Sequence, residues 1–301
     1  MGVIHFLRNN WSWKRIKKNI AYIIENDLYE REYIIKDEAV EDSIYEYDQV
    51  VDKLKKLVIL DDVQSVDKLL YEPKSFSRFG DGEISIIQGH DTAFQQYEPE
   101  LARKLTLILS QKRDDLYVGL NSSYFQSPTM FSERNHKFYR MRGTEYRRFF
   151  IDICDPHNLY LDACCFGGYF RLPPDYDFDA LYKRNKSIFK NKKIAIVAGD
   201  RVFNNIQYDL FDEAKEKKVI YAPSKNAFSK YKSILYEIES SVSKDYIVCL
   251  ILGMTATVLA ADLTDRGYIA WDIGHMAKDY DAYMKKLDKT DENMDKFWDP
   301  D

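Results

Sequence analysis

The sequence lacks several features that would assign it to a common class of protein. Its four cysteines show no Cys-x-x-Cys spacing, which gives no support for a zinc ribbon or a dithiol redox site. No apolar run reaches about 18 residues, as a membrane-spanning helix requires, and the first residues lack the apolar core of a signal peptide. We therefore expect a cytoplasmic protein with reduced, mostly buried thiols.

Neither sign of charge is in large excess. The chain has 44 Lys and Arg residues against 49 Asp and Glu residues, a net charge of −5. This balance gives no overall attraction to nucleic acid, so we predict no nucleic-acid partner. With 301 residues, and a hydrophobic content of 45%, the chain can form one large domain or two small ones around a substantial core.

The sequence motifs of several enzyme classes are also missing. There is no Gly-x-Ser-x-Gly, no Walker A loop and no His-Glu-x-x-His, which argues against the α/β-hydrolases, P-loop NTPases and zinc proteases that use them. The fragment Gly80-Asp81-Gly82 comes closest to the dinucleotide-binding pattern Gly-x-Gly-x-x-Gly, but the third glycine is absent.

Charge is segregated at the start of the chain. Residues 1–24 hold five basic residues, two tryptophans and no acidic residue, whereas residues 25–52 hold eleven acidic residues. We predict that residues 1–60 form an N-terminal helical extension and residues 61–301 the main domain. Residues 1–24 suit either peripheral contact with the inner face of a membrane or an amphipathic helix packed on the domain or on a second subunit of a homo-oligomer.

Strand and helix patterns alternate from about residue 55. Several strand candidates are apolar on both faces, which is typical of a parallel sheet with helices on both sides. The order predicts an α/β fold with a Rossmann-like, mostly parallel sheet. The strand candidates are residues 116–120, 158–163, 193–198, 218–222, 246–252 and 268–271, and the helix candidates are the segment after Pro99 and residues 205–216, 226–241 and 255–266.

Glycine or small polar residues follow four of these strands. Ligands of open α/β sheets bind beyond the carboxyl ends of the strands, so these positions are candidate ligand contacts. Thr255 also begins a predicted helix, whose free N–H groups attract anions, although a threonine there could simply cap the helix. The four places are Gly199-Asp200, Pro223-Ser224, Gly253-Thr255 and Asp272-Gly274.

The segment Ser77–Glu83 holds two carboxylates separated by one glycine. In an extended backbone, side chains at positions i and i+2 point the same way, so Asp81 and Glu83 could bind one Mn²⁺ or Mg²⁺. Gly80 and Gly82 would let a phosphate approach, and Arg78 could donate to it. The alternative is an ordinary surface turn.

The segment that follows the last predicted strand contains two side chains that could act in proton transfer. Asp272 or His275 could be the base that accepts a proton from an acceptor hydroxyl, or could help to bind a nucleotide. The alternative is that His275 makes only structural hydrogen bonds.

Four segments, in this order, resemble the bacterial GT-D-type glycosyltransferases: SFSRFGDGEI, YAPSKNAFSKY, LGMTATVLAADL and GYIAWDIGH. The resemblance covers about residues 70–285. It implies a Rossmann-like domain that transfers a hexose, typically glucose from UDP-glucose, to a glycan hydroxyl in the glycosylation of surface glycans or adhesins. The metal and donor motif of the family falls on Asp81 and Glu83.

The resemblance extends to further site residues. Its matching segments include Ser224, Asn226, Gly253 and Thr255, which we assign with Arg78, Gly80, Gly82 and Gly199 to the nucleotide-sugar donor. The chain departs from the family pattern at Ala198, Tyr208 and Asp279, which bears on substrate identity. The alternatives are another nucleotide-using group transferase on the same fold, or a non-catalytic scaffold of a glycosylation complex.

Overall fold

The computed structural model describes residues 57–126 and 133–298. Nearly all of the predicted N-terminal extension, with its membrane or subunit contact, lies outside the described residues. The domain boundary at residues 60 and 61 therefore stays a prediction.

The described chain alternates strands and helices. The strands are β1 (Val58–Ile59), β2 (Ser75–Phe79), β3 (Leu116–Leu120), β4 (Leu159–Asp162), β5 (Lys193–Gly199), β6 (Glu216–Ala222), β7 (Ile247–Ile251) and β8 (Ile269–Asp272). The helices are α1 (Asp62–Tyr71), α2 (Asp81–Ile87), α3 (Pro99–Ser110), α4 (Glu133–Ile153), α5 (Phe178–Ser187), α6 (Tyr231–Ser241), α7 (Met254–Asp265), α8 (Met276–Met284) and α9 (Asp291–Trp298). Short 3₁₀ helices occupy Ser122–Phe125 and Ala227–Lys230.

All eight strands form one sheet in the order β1-β4-β3-β2-β8-β7-β5-β6. Every pairing between neighbouring strands is parallel, so all the carboxyl ends lie at one edge. The first half of the chain builds β1 to β4 and the second half builds β5 to β8. The two halves meet where β2 pairs with β8, with Phe76 opposite Trp271. A ligand of a parallel sheet is expected at a place where the order of the strands reverses in this way.

The core lies on both faces of the sheet. All five residues of β3 are buried, and so are four of the five in β7. Continuous burial requires cover on both sides, which explains why these strands lack the apolar–polar alternation of a half-exposed sheet. The predicted α/β fold with a Rossmann-like parallel sheet is confirmed.

Most of the predicted elements are found within a residue or two. β3 has the predicted bounds, and Pro99 is the first residue of α3, where its missing N–H costs nothing. The predicted helix at residues 226–241 is divided into the 3₁₀ turn Ala227–Lys230 and α6.

The helix predicted at residues 205–216 is wrong. This segment forms turns, and β6 begins at Glu216. In a helix, the backbone N–H groups of this segment would donate to carbonyl oxygens four residues earlier. Instead, the side chain of Asp281 accepts through Oδ1 from Gln207 N at 2.8 Å and from Tyr208 N at 3.0 Å. Long-range acceptors of this kind are not visible in local periodicity.

The sequence also predicted that no helix spans a membrane and that the four cysteines are reduced thiols. In residues 57–126 and 133–298, no helix has both the length and the apolar character needed to cross a bilayer. All four cysteines are free thiols, as predicted, and Cys154, Cys165 and Cys249 are buried while Cys164 is partly buried.

We expect Gly119→Ala to destabilise the fold by about 1–3 kcal/mol, the cost of overpacking a core. A Cβ at Gly119 in β3 would lie 2.8 Å from the ring of Phe76 and 3.1 Å from the backbone of Ala163. Gly143→Ala in α4 is the control, since a Cβ there meets no atom within 4 Å, and it should be neutral or stabilising by up to about 1 kcal/mol. Urea unfolding measures both, and equal midpoints would contradict the packing.

Candidate active site

A buried ion pair joins the two halves of the sheet at its carboxyl edge. Arg78, in β2, donates from Nη2 to Asp272 Oδ1 at 3.1 Å and from Nη1 to the carbonyl of Ala163 at 2.8 Å. Only 3% of Asp272 is exposed. Burial raises the pKa of Asp272, and the Arg78 charge opposes that rise. Asp272 is therefore held as the partner of Arg78 at the β2–β8 junction.

The hydroxyl of Thr257 links this pair to two helices. Its Oγ1 lies 3.1 Å from the carbonyl oxygen of Arg78, 3.2 Å from Asp272 Oδ2 and 3.3 Å from Glu83 Oε1. A threonine hydroxyl has one proton to donate, so these three acceptors share it. Thr257 thereby ties α7, β2, β8 and α2 together at one point.

Asp81 and Glu83 lie in the first turn of α2, not in the extended backbone that the sequence predicted. In a helix, residues two apart point about 200° away from each other around the axis. Glu83 Oε2 turns back to accept from Gly80 N at 2.8 Å, as in a capping box, while Asp81 is exposed. The prediction of an extended backbone was therefore wrong, because Glu83 satisfies the free N–H at the start of the helix.

The two carboxyl groups also differ in electrostatic environment. Burial, and next to it the charge of Asp272, raises the pKa of Glu83 to about 7, while Gly80 N–H and Arg78 act in the opposite direction. Although Asp81 is exposed as a whole residue, desolvation of its carboxyl group raises the pKa of Asp81 as well, and the backbone N–H groups of Asp81 and Gly82 oppose that rise. Arg78, Asp272 and Glu83 thus form one coupled cluster whose net charge depends on the proton of Glu83.

The donor set fits a divalent ion that is shared with a substrate. Among residues 57–126 and 133–298, no three or more His, Cys, Asp and Glu side chains are grouped to hold a metal by themselves. Mg²⁺ is commonly held by one or two carboxylates together with phosphate oxygens and water. Asp81 is an exposed residue with a carboxylate of this kind, whereas both oxygens of Glu83, in the same helical turn, contact groups of the protein.

The start of α7 lies beside the start of α2. A Cβ at Gly82 would come within 2.9 Å of Met254 Sδ, so the glycine permits this close approach. Gly253 has φ +54°, and Thr255 is fully buried with no hydrogen-bond partner for its Oγ1. The two helix N-termini therefore lie close together beside Asp81, an arrangement suited to an anion, and the unpaired hydroxyl of Thr255 lies in the first turn of α7. At Gly80, by contrast, a Cβ would meet only Glu83 Oε2 at 3.7 Å.

The other predicted donor contacts lie along the same edge, after β5 and β6. A Cβ at Gly199 would lie 2.3 Å from Ser224 Oγ, so the glycine is needed for the two strand ends to touch. Asn226 has φ +52° and holds a neighbouring loop: its N–H donates to the carbonyl of Phe94 at 2.8 Å, and its Oδ1 accepts from Gln96 N at 2.7 Å. The side chain of Asn226 is thus already engaged within the protein.

His275 is enclosed by aromatic rings. The ring centroids of Phe94, Phe297 and Trp298 lie 5.4–5.6 Å from that of the imidazole. Burial, with the charges of Lys278 and Arg78, lowers the pKa of His275 to about 3, so the imidazole is neutral at pH 7. Such a weakly basic group is a poor general base, and Asp272 is bound to Arg78. The assignment of the catalytic base stays a prediction.

The departures from the family pattern lie in structural positions. Asp279 is buried and accepts from Gly168 N at 2.7 Å, from Tyr169 N at 3.2 Å and from the hydroxyl of Tyr182. Ala198 is fully buried within β5. These contacts explain the two residues by packing and hydrogen bonding within the domain.

Sequence reasoning missed one residue of this edge that has an unusual environment. Tyr124, in the 3₁₀ helix after β3, is 1% exposed and its hydroxyl has no hydrogen-bond partner. The strand-end rule also applies to residues 116–120, and it would have pointed to the segment that contains Tyr124.

Comparison with known proteins assigns this architecture. A family model described as the glycosyltransferase GT-D fold matches residues 76–297, well over half of the chain. The chain belongs to this family. As in the sequence-based resemblance, the match includes the whole carboxyl edge from β2 to His275.

Solved structures of GT-D relatives agree with the fold. One is the highly conserved domain of unknown function 1792, described as having a distinct glycosyltransferase fold; it is 32% identical with a TM-score of 0.72, over 77% of this chain and 83% of that one. Another is described as a new glycosyltransferase from Streptococcus sanguinis, 30% identical with a TM-score of 0.71, over 76% of this chain and 85% of that one.

Two curated relatives are longer than this GT-D chain. Glycosyltransferase GlyD of Streptococcus pneumoniae serotype 4 is 32% identical over 234 residues, which are 75% of this chain and 28% of that protein. The probable glycosyl transferase Gly of Streptococcus gordonii is 29% identical over 236 residues, 76% of this chain and 33% of that protein. The match thus spans a third or less of either relative.

We expect Gly274→Ala to disrupt the Arg78–Asp272 pair. Gly274 has φ +48°, and a Cβ there would lie 1.8 Å from Arg78 Nη2. Gly267→Ala is the matched control, because Gly267 has φ +78° but open space around it; it should cost only the backbone conformation, about 1–2 kcal/mol. Urea unfolding should show a clearly larger loss for Gly274→Ala, and equal losses would contradict the clash.

The stability of the metal-free protein should depend on pH in opposite ways through His275 and Glu83. The pKa of His275 is lowered in the folded protein, so its contribution to the free energy of unfolding is lost as pH falls from about 6.5 toward 3. The pKa of Glu83 is raised in the folded protein, so its contribution to the free energy of unfolding is lost as pH rises from 4.5 through about 7. Each effect reaches at most about 1.4 kcal/mol per pH unit.

Unfolding by urea between pH 4.5 and 6.5, in a chelator, separates the two groups. Relative to wild type, His275→Gln should shift the slope of stability against pH downward and Glu83→Gln should shift it upward. Parallel curves for the two variants would show that neither pKa is displaced.

Proposed function

We propose that this GT-D protein transfers a hexose, glucose from UDP-glucose, to a hydroxyl group of a glycan or glycoprotein, with Mn²⁺ or Mg²⁺ as cofactor. The observation that supports it most directly is the exposed carboxylate of Asp81 beside the start of α7, where the buried hydroxyl of Thr255 has no partner. The names of the two curated relatives, both glycosyltransferases, support the reaction class.

The proposed donor site has the diphosphate at the starts of α2 and α7. The N–H groups at the start of α7 would donate to phosphate oxygens, and Thr255 would add its hydroxyl. Asp81 would hold the divalent ion, together with Glu83 of the same helical turn if its carboxylate released Gly80 N and Thr257. When bound, that ion supplies positive charge against the charge that develops on the departing diphosphate.

The reaction exchanges one bond at the anomeric carbon for another. The bond from C1 to the diphosphate oxygen breaks and its electron pair leaves with UDP, while an acceptor oxygen forms the new bond to C1 and gives up its proton. The transition state has oxocarbenium character. Donors at the start of α7 would stabilise the leaving group.

Arg78 is assigned a positioning role in this scheme. Two of its nitrogens are committed to Asp272 and Ala163, so it acts on the site by fixing the β2–β8 junction and by its charge. Asp272 and His275 remain the candidates for the base, although Asp272 is paired with Arg78 and the pKa of His275 is lowered to about 3. Gly199 and Ser224 would line the far side of the donor site, after β5 and β6.

Asp81→Asn should lower the rate of UDP release from UDP-glucose by about 10²–10³-fold, the effect of losing one electrostatic group at a transition state. The matched control is Asp114→Asn, since Asp114 is an exposed carboxylate before β3, at the opposite edge of the sheet, and should leave the rate unchanged. UDP release is measured with Mn²⁺ and again with a chelator. Full activity of Asp81→Asn, or of wild type in the chelator, would contradict the proposed role.

A further inference from the structure

The hydroxyl of Tyr124 is buried and unpaired. The residue is 1% exposed, and its oxygen has no hydrogen-bond partner in the protein. Most buried polar side-chain atoms have a partner, because leaving one unpaired costs free energy. An unpaired hydroxyl in a site-forming segment therefore indicates a partner that comes from outside the chain.

The position of Tyr124 is fixed by the surrounding protein. Its 3₁₀ helix follows β3 directly, and the N–H of Asn121, which precedes that helix, donates to the carbonyl of Phe79 at 3.1 Å. The carbonyl of Tyr124 accepts from Arg147 at 3.3 Å. Three aromatic rings contact the tyrosine ring at centroid distances of 4.9–6.1 Å, those of Tyr139, Tyr146 and Phe150. The hydroxyl cannot easily turn away to find another partner.

Charged groups of the candidate active site act electrostatically on this hydroxyl. After burial, the charge of Asp81 is the next cause that raises the pKa of Tyr124, and Cys164 contributes as well. Asp81 acts in the same direction on Tyr146. Cys164, whose thiol has a pKa raised to about 11 by burial, also senses the charges of Arg78 and Asp81. The pairing of β2 with β3, and the hydrogen bond from Asn121 N to the carbonyl of Phe79, place the Tyr124 segment beside the segment of Asp81 at the same edge of the sheet.

Asp81 divides the carboxyl edge into two sides. The groups suited to a diphosphate and nucleoside lie on the β7–β5–β6 side, at Gly253, Thr255, Gly199 and Ser224. Tyr124 lies on the other side, above β3. A donor whose diphosphate is held at Asp81 would extend its sugar toward β3. Sugar hydroxyls both donate and accept hydrogen bonds, as a tyrosine hydroxyl does.

We infer that the hydroxyl of Tyr124 hydrogen-bonds a hydroxyl group of the donor sugar and not the nucleotide. This inference rests on the proposed function, and it adds a sugar-recognition residue to it. Because the hydroxyl is deeply buried and rigidly held, a small polar group of the sugar must reach it. Tyr124 is thus a positioning and specificity residue for the hexose.

The test compares the affinity for UDP with that for UDP-glucose, by calorimetry in Mn²⁺, for wild type and Tyr124→Phe. A panel of other UDP-hexoses is included. Tyr124→Phe should bind the preferred UDP-hexose about three- to tenfold more weakly, the range of one hydrogen bond, and should bind UDP as wild type does. Its thermal midpoint should not fall, since the hydroxyl makes no bond within the protein.

Tyr160→Phe is the matched control. Tyr160 is fully buried and its hydroxyl donates to the carbonyl of Asp155 at 3.0 Å, so this variant should lose thermal stability and keep both affinities. The Tyr124 inference is overturned if Tyr124→Phe binds the UDP-hexose as tightly as wild type, or if its affinity for UDP falls in parallel. The proposed function itself fails, with the inference, if wild type binds none of the UDP-hexoses.

Discussion

The ion pair between Arg78 and Asp272 is the contact on which the site depends. It lies where the two halves of the chain meet, and a second contact of the same guanidinium reaches Ala163, just after β4. Removing one partner of a buried pair costs about 3–5 kcal/mol, because the other charge is left without compensation. The pair therefore sets the relative positions of β2, β4 and β8, and Thr257 extends that constraint to both helices whose first turns form the site.

The same edge holds several groups whose bonding is incomplete within the protein. Of the buried polar side-chain atoms without partners in the described residues, Arg78 Nε, Thr255 Oγ1 and Tyr124 Oη lie at the ends of β2, β7 and β3. Unpaired polar atoms reduce stability, so their concentration at one edge indicates a region shaped for a ligand more than for stability. Proteins commonly break their own packing rules at functional sites.

The sequence was most informative where a single segment determines its own structure. β3 and β5 could be predicted from apolar runs, and the four strand-end positions followed from topology. It was least informative where a distant residue decides. Asp281 accepts from the backbone N–H groups of residues 207 and 208, which were predicted to bond within a helix. Glu83 accepts from the N–H at the start of its own helix and contacts Thr257 of α7. The burial of Tyr124 depends on three aromatic rings from α4, and no local sequence pattern predicts it.

In the proposed function, charge relations at the site would make donor and cation binding depend on each other. Asp81 and the cluster of Arg78, Asp272 and Glu83 together hold three carboxyl groups against one guanidinium. A diphosphate placed beside Asp81 would be repelled at close range, and its approach would favour a proton on Glu83, whose pKa is already raised to about 7. A divalent ion bound at Asp81, as proposed, would reverse both effects. Linkage then requires that each ligand strengthen the binding of the other to the same degree, so on this reasoning neither is expected to bind tightly alone.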